Sequence, residues 1–175
     1  MALTEDILIS TAPPYLLVSQ VEISGMTDFA WSLNRPQILA VRCVRGDKMP
    51  TLDRLFDEFA AALQFPYYFG ENWDAFDECL ADLSWLPAAG YALFVQNATK
   101  LLEEEPGELA TLASALQRAG REWATPVEIG EAWDRPARPF HTVFQCEKGD
   151  SQAMMQQLAA SGVHVDAIAL SASGS

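Results

Sequence analysis

Residues 65–83, FPYYFGENWDAFDECLADL, form the stretch that indicates the fold most clearly, because it combines a helix end, an aromatic loop, an N-cap and the start of a second helix. Pro66 ends the helical pattern that precedes it, and an aromatic loop containing a glycine follows. Asn72 is a favourable N-cap, because its side chain can accept a hydrogen bond from the first turn of a helix. The apolar residues that follow recur at helical spacing and predict one buried face, made of Trp73, Phe76, Leu80 and Leu83.

The acidic residues of this predicted helix lie on the side opposite to its apolar residues. At about 100° per residue, its carboxylates cover one contiguous face, whereas Cys79 lies with the apolar residues. Once the apolar face packs against a sheet, we expect the whole acidic face to meet solvent. That face consists of Asp74, Asp77, Glu78 and Asp82.

The region around this helix is poor in positive charge, since residues 55–99 contain seven acids and no Lys, Arg or His. Acids three or four residues apart on a helix repel each other by roughly 0.2–0.5 kcal/mol per pair. Asp82 also lies near the helix C-terminus, where the helix dipole disfavours a negative charge. A run of acids on a helix is usually a solvated face. Beside the aromatic loop, however, uncompensated acids are also typical of a docking surface for a cation-lined cleft.

Strand and helix patterns alternate on both sides of this segment. Residues 15–24 and 38–45 predict strands, and residues 25–37 between them predict a turn and a connection. Thr51 is a suitable N-cap for the helix that Pro66 ends. Further downstream, the sequence predicts strands at 91–96, 140–146 and 163–170, helices from Pro106 and over 151–161, and an irregular segment at 125–139.

This element order predicts an α/β fold with a small, mainly parallel β-sheet of roughly three to five strands, packed by helices. The chain has 175 residues, of which 50% are hydrophobic, and this suffices for one domain with extensions. The N-terminal extension is expected to contribute a strand, and the C-terminal extension a helix and a strand.

The charge balance limits the classes of partner. The chain carries 24 acidic and 11 basic residues, a net charge of −13, which disfavours nucleic-acid binding and favours a basic protein partner. No apolar run is long enough to span a bilayer. The N-terminal sequence MALTEDILIS has acids where a secretory signal needs positive charge. We therefore expect a cytoplasmic protein that does not bind membranes.

The cysteines and histidines do not form a recognisable site. Cys43, Cys79 and Cys146 are far apart and fit neither a metal-ligand spacing nor a disulfide framework, so we expect small buried apolar side chains. His141 lies in a predicted strand and His164 near the tail, which makes a catalytic triad or a zinc site hard to assemble. Both histidines are more typical of structural or surface positions.

Two other chemistries could use the acidic helix. A hydrolase would need a carboxylate with a raised pKa in a cleft, whereas Asp74, Asp77 and Glu78 are predicted on a convex surface. The spacing of the same three acids could bind a divalent cation, but such spacings often occur by chance. We therefore predict no catalytic residues, no cofactor and no metal, and keep a metal-dependent enzyme as the weakest of three hypotheses.

The segment 65–83 resembles the barstar family of ribonuclease inhibitors. The resemblance rests on the tyrosines at 67–68, on Gly70-Glu71-Asn72, on Asp74-Ala75 and on Cys79-Leu80, together with the element order. It covers about residues 38–146. The resemblance implies a small parallel sheet packed by helices and no catalysis. It also implies that the second helix and its preceding loop plug the active site of a secreted ribonuclease, with carboxylates where RNA phosphates would lie, and so protect the producing cell.

The resemblance assigns roles position by position. Asp74 matches the family's first docking acid, Glu78 matches its central acid with Glu in place of Asp, and Gly70 matches the loop glycine. Either Tyr67 or Tyr68 matches the loop tyrosine, because Phe69 is an extra residue before the glycine. The sequence also departs from the family where Asp77 and Leu83 replace tryptophans and Asp82 replaces a glycine.

Three segments and two leading functions follow. We expect an N-terminal extension over 1–37, a barstar-like domain over 38–146 and a C-terminal extension over 147–175; the extensions add edge strands or form a dimer contact. The first hypothesis is a non-enzymatic ribonuclease inhibitor of the immunity-protein or antitoxin type. The alternative is a regulatory or scaffolding protein-binding module with the same fold and another partner. The expected partner-binding residues are Tyr67, Tyr68, Gly70, Asp74, Asp77, Glu78 and Asp82.

Overall fold

The structure, a computed structural model, describes residues 4–35 and 37–170; residues 1–3, 36 and 171–175 of the expected extensions lie outside this description. Its centre is one five-stranded sheet in which every pairing is parallel, with the strand order β2-β3-β4-β1-β5. This confirms the predicted fold class. The strands are β1 (Leu16–Gln20), β2 (Ala40–Arg45), β3 (Tyr91–Gln96), β4 (Phe140–Cys146) and β5 (Val165–Ala167).

Helices cover both faces of the sheet. The helices are α1 (Thr4–Leu8), α2 (Ile23–Leu33), α3 (Leu52–Leu63), α4 (Trp73–Asp82), α5 (Leu109–Ala124) and α6 (Ser151–Ala159). One core cluster joins the sheet to α3, α4, α5 and α6, and a second joins the opposite face to α1 and α2. Successive strand residues enter different clusters, as Leu16 and Leu17 do, because side chains alternate across a strand.

The predicted N-caps of α3 and α4 are present. Thr51 Oγ1 accepts a hydrogen bond from the backbone N–H of Arg54 at 3.5 Å. Asn72 Oδ1 accepts one from the backbone N–H of Ala75 at 2.9 Å. Both helices therefore begin where the sequence placed them, and the aromatic loop is confined to the few residues between α3 and Asn72.

Helix α2 corrects the prediction of a turn and connection over residues 25–37. The apolar residues of this segment recur at helical spacing and are buried, which stabilises a helix against the sheet. Strand β1 ends at Gln20 rather than at residue 24 as predicted, because α2 already begins at Ile23. The buried residues of α2 are Met26, Phe29, Ala30 and Leu33.

The two terminal segments contribute different positions in the sheet. Strand β1 is internal, because it pairs with β4 on one side and with β5 on the other. Of these two strands only β5 lies at an edge of the sheet, whereas we expected the extensions to add edge strands. The division of the chain into three segments stays a prediction.

The other edge of the sheet, β2, is partly capped by side chains. The outward backbone N–H of Val41 donates to Asn34 Oδ1 at 3.1 Å, and that of Arg45 donates to Glu58 Oε1 at 3.1 Å. Capping of this kind disfavours the addition of a further strand.

Candidate protein-docking site

The aromatic loop before α4 is anchored by Phe69. The ring of Phe69 lies 5.0 Å from that of Phe65 and 5.7 Å from that of Phe56, between ring centroids, and both pairs are edge-to-face. A backbone hydrogen bond of 2.9 Å from Phe69 N–H to the carbonyl of Pro66 closes the turn. The extra phenylalanine of the loop is therefore its attachment to the core.

The two tyrosines of the loop point away from the core. Tyr67 is 99% exposed and Tyr68 is 65% exposed. Their rings pack edge-to-face on each other, with 5.7 Å between centroids. Large aromatic side chains at this exposure are unfavourable in isolation and are typical of protein-binding surfaces.

Gly70 shapes the loop through Asn72. The side-chain amide of Asn72 donates to the carbonyl of Gly70 at 3.1 Å while its Oδ1 caps α4. A Cβ atom at position 70 would lie 3.0 Å from Asn72 Nδ2, which is closer than ordinary contact. A glycine at this position therefore lets the cap fold back onto the loop.

Three acids of α4 are exposed: Asp74, Glu78 and Asp82. Among the described residues, none of the three lies within 4.0 Å of a basic side chain or the N-terminus. Asp82, the last residue of the helix, has one local partner, because its Oδ1 accepts from the backbone N–H of Ser84 at 3.3 Å. We define the docking surface as the exposed side chains of Tyr67, Tyr68, Asp74, Glu78 and Asp82.

Asp77 corrects the expectation that all the acids of α4 face solvent without compensation. It is only partly exposed, and its Oδ2 forms an ion pair with Arg118 of α5. Its other oxygen is buried and has no hydrogen-bond partner within the described part of the chain. Burial raises the pKa of Asp77 against the opposing effect of Arg118, and the negative charge of Asp74 raises it further.

The opposite face of α4 is buried as predicted. Phe76, Leu80 and Leu83 are each fully buried, with 0% exposure. The indole N–H of Trp73 donates to Glu108 Oε2 at 2.9 Å at the rim of this face. Burial of Cys79, followed by the negative charges of Asp82 and Glu78, raises the pKa of its thiol.

A cleft of about 160 Å³ separates the loop from α4. A cleft whose walls combine carboxylates with aromatic rings suits a basic side chain, through ion pairing and cation–π contact. Its lining includes Tyr68, Phe69, Glu78, Asp82 and Trp85.

The cysteines and histidines occupy separate places. Cys79 and Cys146 are buried as expected, but Cys43 is exposed, because it lies on the edge strand β2. His141 is fully buried, with one ring nitrogen 2.7 Å from the carbonyl of Ser10 and the other 3.0 Å from that of Pro14. His164 lies on the surface beside Asp166.

The described residues form neither a metal-binding cluster nor a membrane-spanning helix. Across residues 4–35 and 37–170, the structure brings together no group of three or more His, Cys, Asp or Glu side chains that could hold a metal ion. In the same ranges, every helix is too short or too polar to cross a bilayer.

Sequence reasoning missed two neighbours of the docking surface. Arg118, the partner of Asp77, lies in the next helix, and only the tertiary packing of α4 on α5 brings the two together. The segment 125–139 contains no helix or strand, as predicted, but its placement of Trp133 in a groove beside the C-terminal end of α4 was not foreseen. The available signal was a tryptophan in a segment with three prolines and no helical or strand pattern.

A family model described as "Barstar (barnase inhibitor)" matches residues 39–145, which include the aromatic loop and α4. The chain belongs to the barstar family. This family consists of non-enzymatic inhibitors that bind a ribonuclease such as barnase. The match leaves α1, β1, α2, α6 and β5 outside, so the additional strands and the cover on the second sheet face lie beyond the shared barstar region.

Solved structures resemble the barstar-family chain only at the level of the fold. One, "Structure of Drosophila ORC bound to AT-rich DNA and Cdc6", matches with a TM-score of 0.50 and 15% identity, covering 89% of this chain and 48% of that one. Another, "Structure of Drosophila ORC bound to GC-rich DNA and Cdc6", has a TM-score of 0.47 and 14% identity, covering 89% and 49%. The chain thus spans about half the length of both matched chains. A search of curated proteins found no match.

Proposed function

We propose that this chain is a non-enzymatic inhibitor of a barnase-type ribonuclease or related toxin, and that its docking surface plugs the active site of that enzyme. The observation that carries the proposal is the set of exposed, unpaired acids on α4 in a member of the barstar family. The partner is a basic protein whose active site binds RNA phosphates.

The mechanism is mimicry of phosphate by carboxylate. A ribonuclease cleft holds cationic side chains where the RNA backbone lies, and these side chains attract anions. Asp74 and Glu78 lie one helical turn apart and are both exposed, so they can meet two such cations at once. Because no cation of the described residues pairs with either acid, no ion pair between those residues has to break on binding.

The tyrosines supply the apolar part of the contact. Tyr67 and Tyr68 are held at the tip of a loop whose base is fixed by Phe69 and by the cap of Asn72. A pre-ordered aromatic loop loses little conformational entropy on binding. We expect the tyrosines to exclude water around the acids and thereby strengthen each ion pair.

Gly70 and Asp77 support the contact indirectly in this proposal. Gly70 allows the loop geometry, and Asp77 ties α4 to α5 through Arg118. Glu78 is one methylene longer than the family's aspartate, and Asp82 adds an acid where the family has glycine. We expect these differences to tune the choice of ribonuclease.

An inhibitor of this kind protects the cell that makes the enzyme, so we place it in the cytoplasm as an immunity protein or antitoxin. The total charge of −13 favours fast association with a basic partner through long-range attraction.

The test is an RNA-cleavage assay with barnase, in which the purified chain is titrated against the enzyme. Wild type should inhibit, and the double variant Asp74→Ala with Glu78→Ala should lose at least about 100-fold in inhibition, because central interface charges contribute about 2 kcal/mol or more each. Circular dichroism and the thermal midpoint should match wild type, since both side chains are exposed.

The matched control removes two exposed acids elsewhere: Glu147→Ala with Asp150→Ala, in the connection between β4 and α6. This control has the same net charge as the test variant and should inhibit almost as well as wild type. If the variant Asp74→Ala with Glu78→Ala inhibits barnase as strongly as wild type, the docking surface is not the ribonuclease-binding surface. A folded wild-type chain that does not inhibit would favour the alternative, a regulatory or scaffolding module.

A further inference from the structure

Two large apolar side chains stand in solvent outside the docking surface, on the segment between α5 and β4. Ile129 is 66% exposed and Trp133 is 65% exposed. The segment forms a closed loop, because Val127 and Arg135 exchange two backbone hydrogen bonds of 2.9 and 3.0 Å. We call residues 127–135 the tryptophan loop.

The tryptophan loop is fixed by its own polar groups. The carboxylate of Asp134 accepts from the backbone N–H groups of Ile129 at 3.0 Å and Gly130 at 2.7 Å. These hydrogen bonds lower the pKa of Asp134. Gly130 has a φ of +83°, which a glycine adopts without strain. The loop therefore presents its two apolar side chains from an ordered backbone.

The base of the loop is joined to α4. The guanidinium of Arg135 stacks on the ring of Trp123, 4.2 Å from its centroid, and donates to the backbone carbonyls of Glu122 and Trp123 at 3.0 and 3.2 Å. Trp123 in turn donates its indole N–H to the carbonyl of Leu80 in α4 at 2.7 Å. The positions of the tryptophan loop and of the docking surface are thus coupled through one buried indole.

A groove of about 450 Å³ lies between the tryptophan loop and the C-terminal end of α4. Asp82 lines this groove, and the same residue lines the cleft between α4 and the aromatic loop on its other side. The two depressions are therefore neighbours that share one acidic wall. Asp82 and Trp133 therefore line the same groove.

The charge of the loop defines the chemistry of the occupant. Glu128 and Glu131 of the tryptophan loop are exposed, whereas Arg135, which lines the groove, is engaged by Trp123 and by backbone carbonyls. Arg138, which also lines the groove, lies beside Tyr91, where its positive charge acts to lower the pKa of the phenol against burial. The tryptophan loop itself carries three acids, Glu128, Glu131 and Asp134, against the single base Arg135, so its excess of negative charge complements a basic protein, as the docking surface does.

We propose that the tryptophan loop is a second contact for the same basic ribonuclease, in which Trp133 and Ile129 pack on an apolar patch beside the enzyme's active site. The inference rests on the proposed function and extends it, because it assigns partner selectivity to a segment outside the aromatic loop and α4. Tryptophan is among the residues most often found at the energetic centre of interfaces.

The experiment measures the dissociation constant of the barnase complex by isothermal titration for wild type, Trp133→Ala and Ile129→Ala. We expect Trp133→Ala to weaken binding by about 10-fold or more and Ile129→Ala by less. Neither substitution changes charge, so the salt dependence of the association rate should equal that of wild type. The matched control is Trp31→Ala on α2, a tryptophan 73% exposed on the other face of the sheet, which should bind like wild type.

The possible outcomes separate the two proposals. If the Asp74→Ala with Glu78→Ala variant loses binding while Trp133→Ala and Ile129→Ala bind like wild type, the proposed function stands and the tryptophan loop is not a contact. If wild type does not bind barnase, the proposed function and this inference both fail. If Trp133→Ala instead converts a dimer into a monomer in analytical ultracentrifugation without changing barnase affinity, the occupant is a second copy and the inference is overturned.

Discussion

Helices α3 and α4 are neighbours that are capped and packed in the same way, but they differ in how many of their acidic residues form ion pairs. Each begins at a side-chain N-cap, ends at a residue with positive φ, and packs on the same face of the sheet. Because the two helices are capped and packed alike, neither capping nor packing explains why their acidic residues differ in ion pairing.

Two of the three acids of α3 are paired with basic side chains, whereas Asp53, in the first turn, has no ion pair among the described residues. Glu58 accepts from the guanidinium of Arg45 at 2.7 and 3.0 Å, and Asp57 lies 3.8 Å from Arg54. The Arg45 side chain lowers the pKa of Glu58, which is the effect expected for a carboxylate that stabilises the fold.

The acids of α4 are mostly unpaired. Of its carboxylates, Asp77 alone contacts a basic side chain within residues 4–35 and 37–170, and burial raises its pKa rather than lowering it. Helix α3 thus uses Asp57 and Glu58 for its own fold and leaves one acid unpaired, whereas α4 leaves Asp74, Glu78 and Asp82 available to a partner.

The largest expected effect concerns the packing that joins the two helices. Phe56 of α3 contacts Phe69, Trp73 and Phe76, with ring centroids 5.7, 5.3 and 5.7 Å apart. Phe56→Ala should lower the free energy of unfolding by about 3–5 kcal/mol in urea denaturation, because it removes a buried aromatic ring. Tyr67→Ala, which changes an exposed ring, should alter it by less than about 0.5 kcal/mol. Similar losses in both variants would show that the loop tyrosine belongs to the core.

A smaller effect should distinguish the paired and unpaired glutamates. Glu58→Gln should lower the free energy of unfolding at pH 7 by about 1 kcal/mol, because it weakens charge-assisted hydrogen bonds that are partly screened by solvent. The folded pKa of Glu58 lies below the ordinary value of 4.5, so this stabilisation is complete above 4.5 and is lost as the pH falls through the folded pKa. Glu78→Gln should leave the free energy of unfolding at pH 7 within about 0.5 kcal/mol of wild type, because the side chain is exposed and has no ion pair among the described residues. Equal destabilisation by both variants would remove the contrast between α3 and α4.

Asp77 should show the opposite pH dependence. Its folded pKa lies above the ordinary value of 3.8, so the charged form destabilises the fold above the folded pKa, and this destabilisation disappears below 3.8. Asp77→Asn should therefore be as stable as wild type, or more stable by a few tenths of a kcal/mol, at pH 7, and the difference should vanish near about pH 3. A variant that is clearly less stable at pH 7 would mean that the Arg118 ion pair outweighs burial.

The smallest effect is on association kinetics. Raising the salt concentration should slow association with barnase, since exposed charges act over about 8–10 Å at moderate ionic strength. Asp82→Asn should make the salt dependence shallower, while Asp57→Asn on α3 should leave it nearly unchanged, because Arg54 already offsets that charge. The association rates are measured by stopped flow. If both variants reduce the salt dependence of the association rate equally, Asp82 has no special part in attracting the partner.

Local signals in the sequence predicted much of the fold and the location of the site. Thr51 and Asn72 act over three residues, so their capping could be predicted without knowledge of the tertiary structure. Helix α2 was missed although Met26, Phe29, Ala30 and Leu33 have helical spacing, because Gly25 and the short polar residues around them weakened the pattern.

The remaining features depend on contacts between distant residues. The pairing of Asp77 with Arg118 spans 41 positions, and the internal place of β1 depends on pairing with β4 and β5. The position of Trp133 beside α4 follows from the contact of Arg135 with Trp123 and of Trp123 with Leu80. The charge pattern and the hydrophobic periodicity of the sequence do not indicate which of these distant residues contact each other.

The most direct test of the account is an NMR titration of the ¹⁵N-labelled chain with barnase. The account predicts that chemical-shift changes concentrate in residues 66–83, with the indole signal of Trp133 also affected, while exposed residues of α3 and α2 change little. Shift changes centred on α3 or α2, with residues 66–83 unaffected, would contradict the claim that the unpaired acids of α4 are the ribonuclease-binding surface.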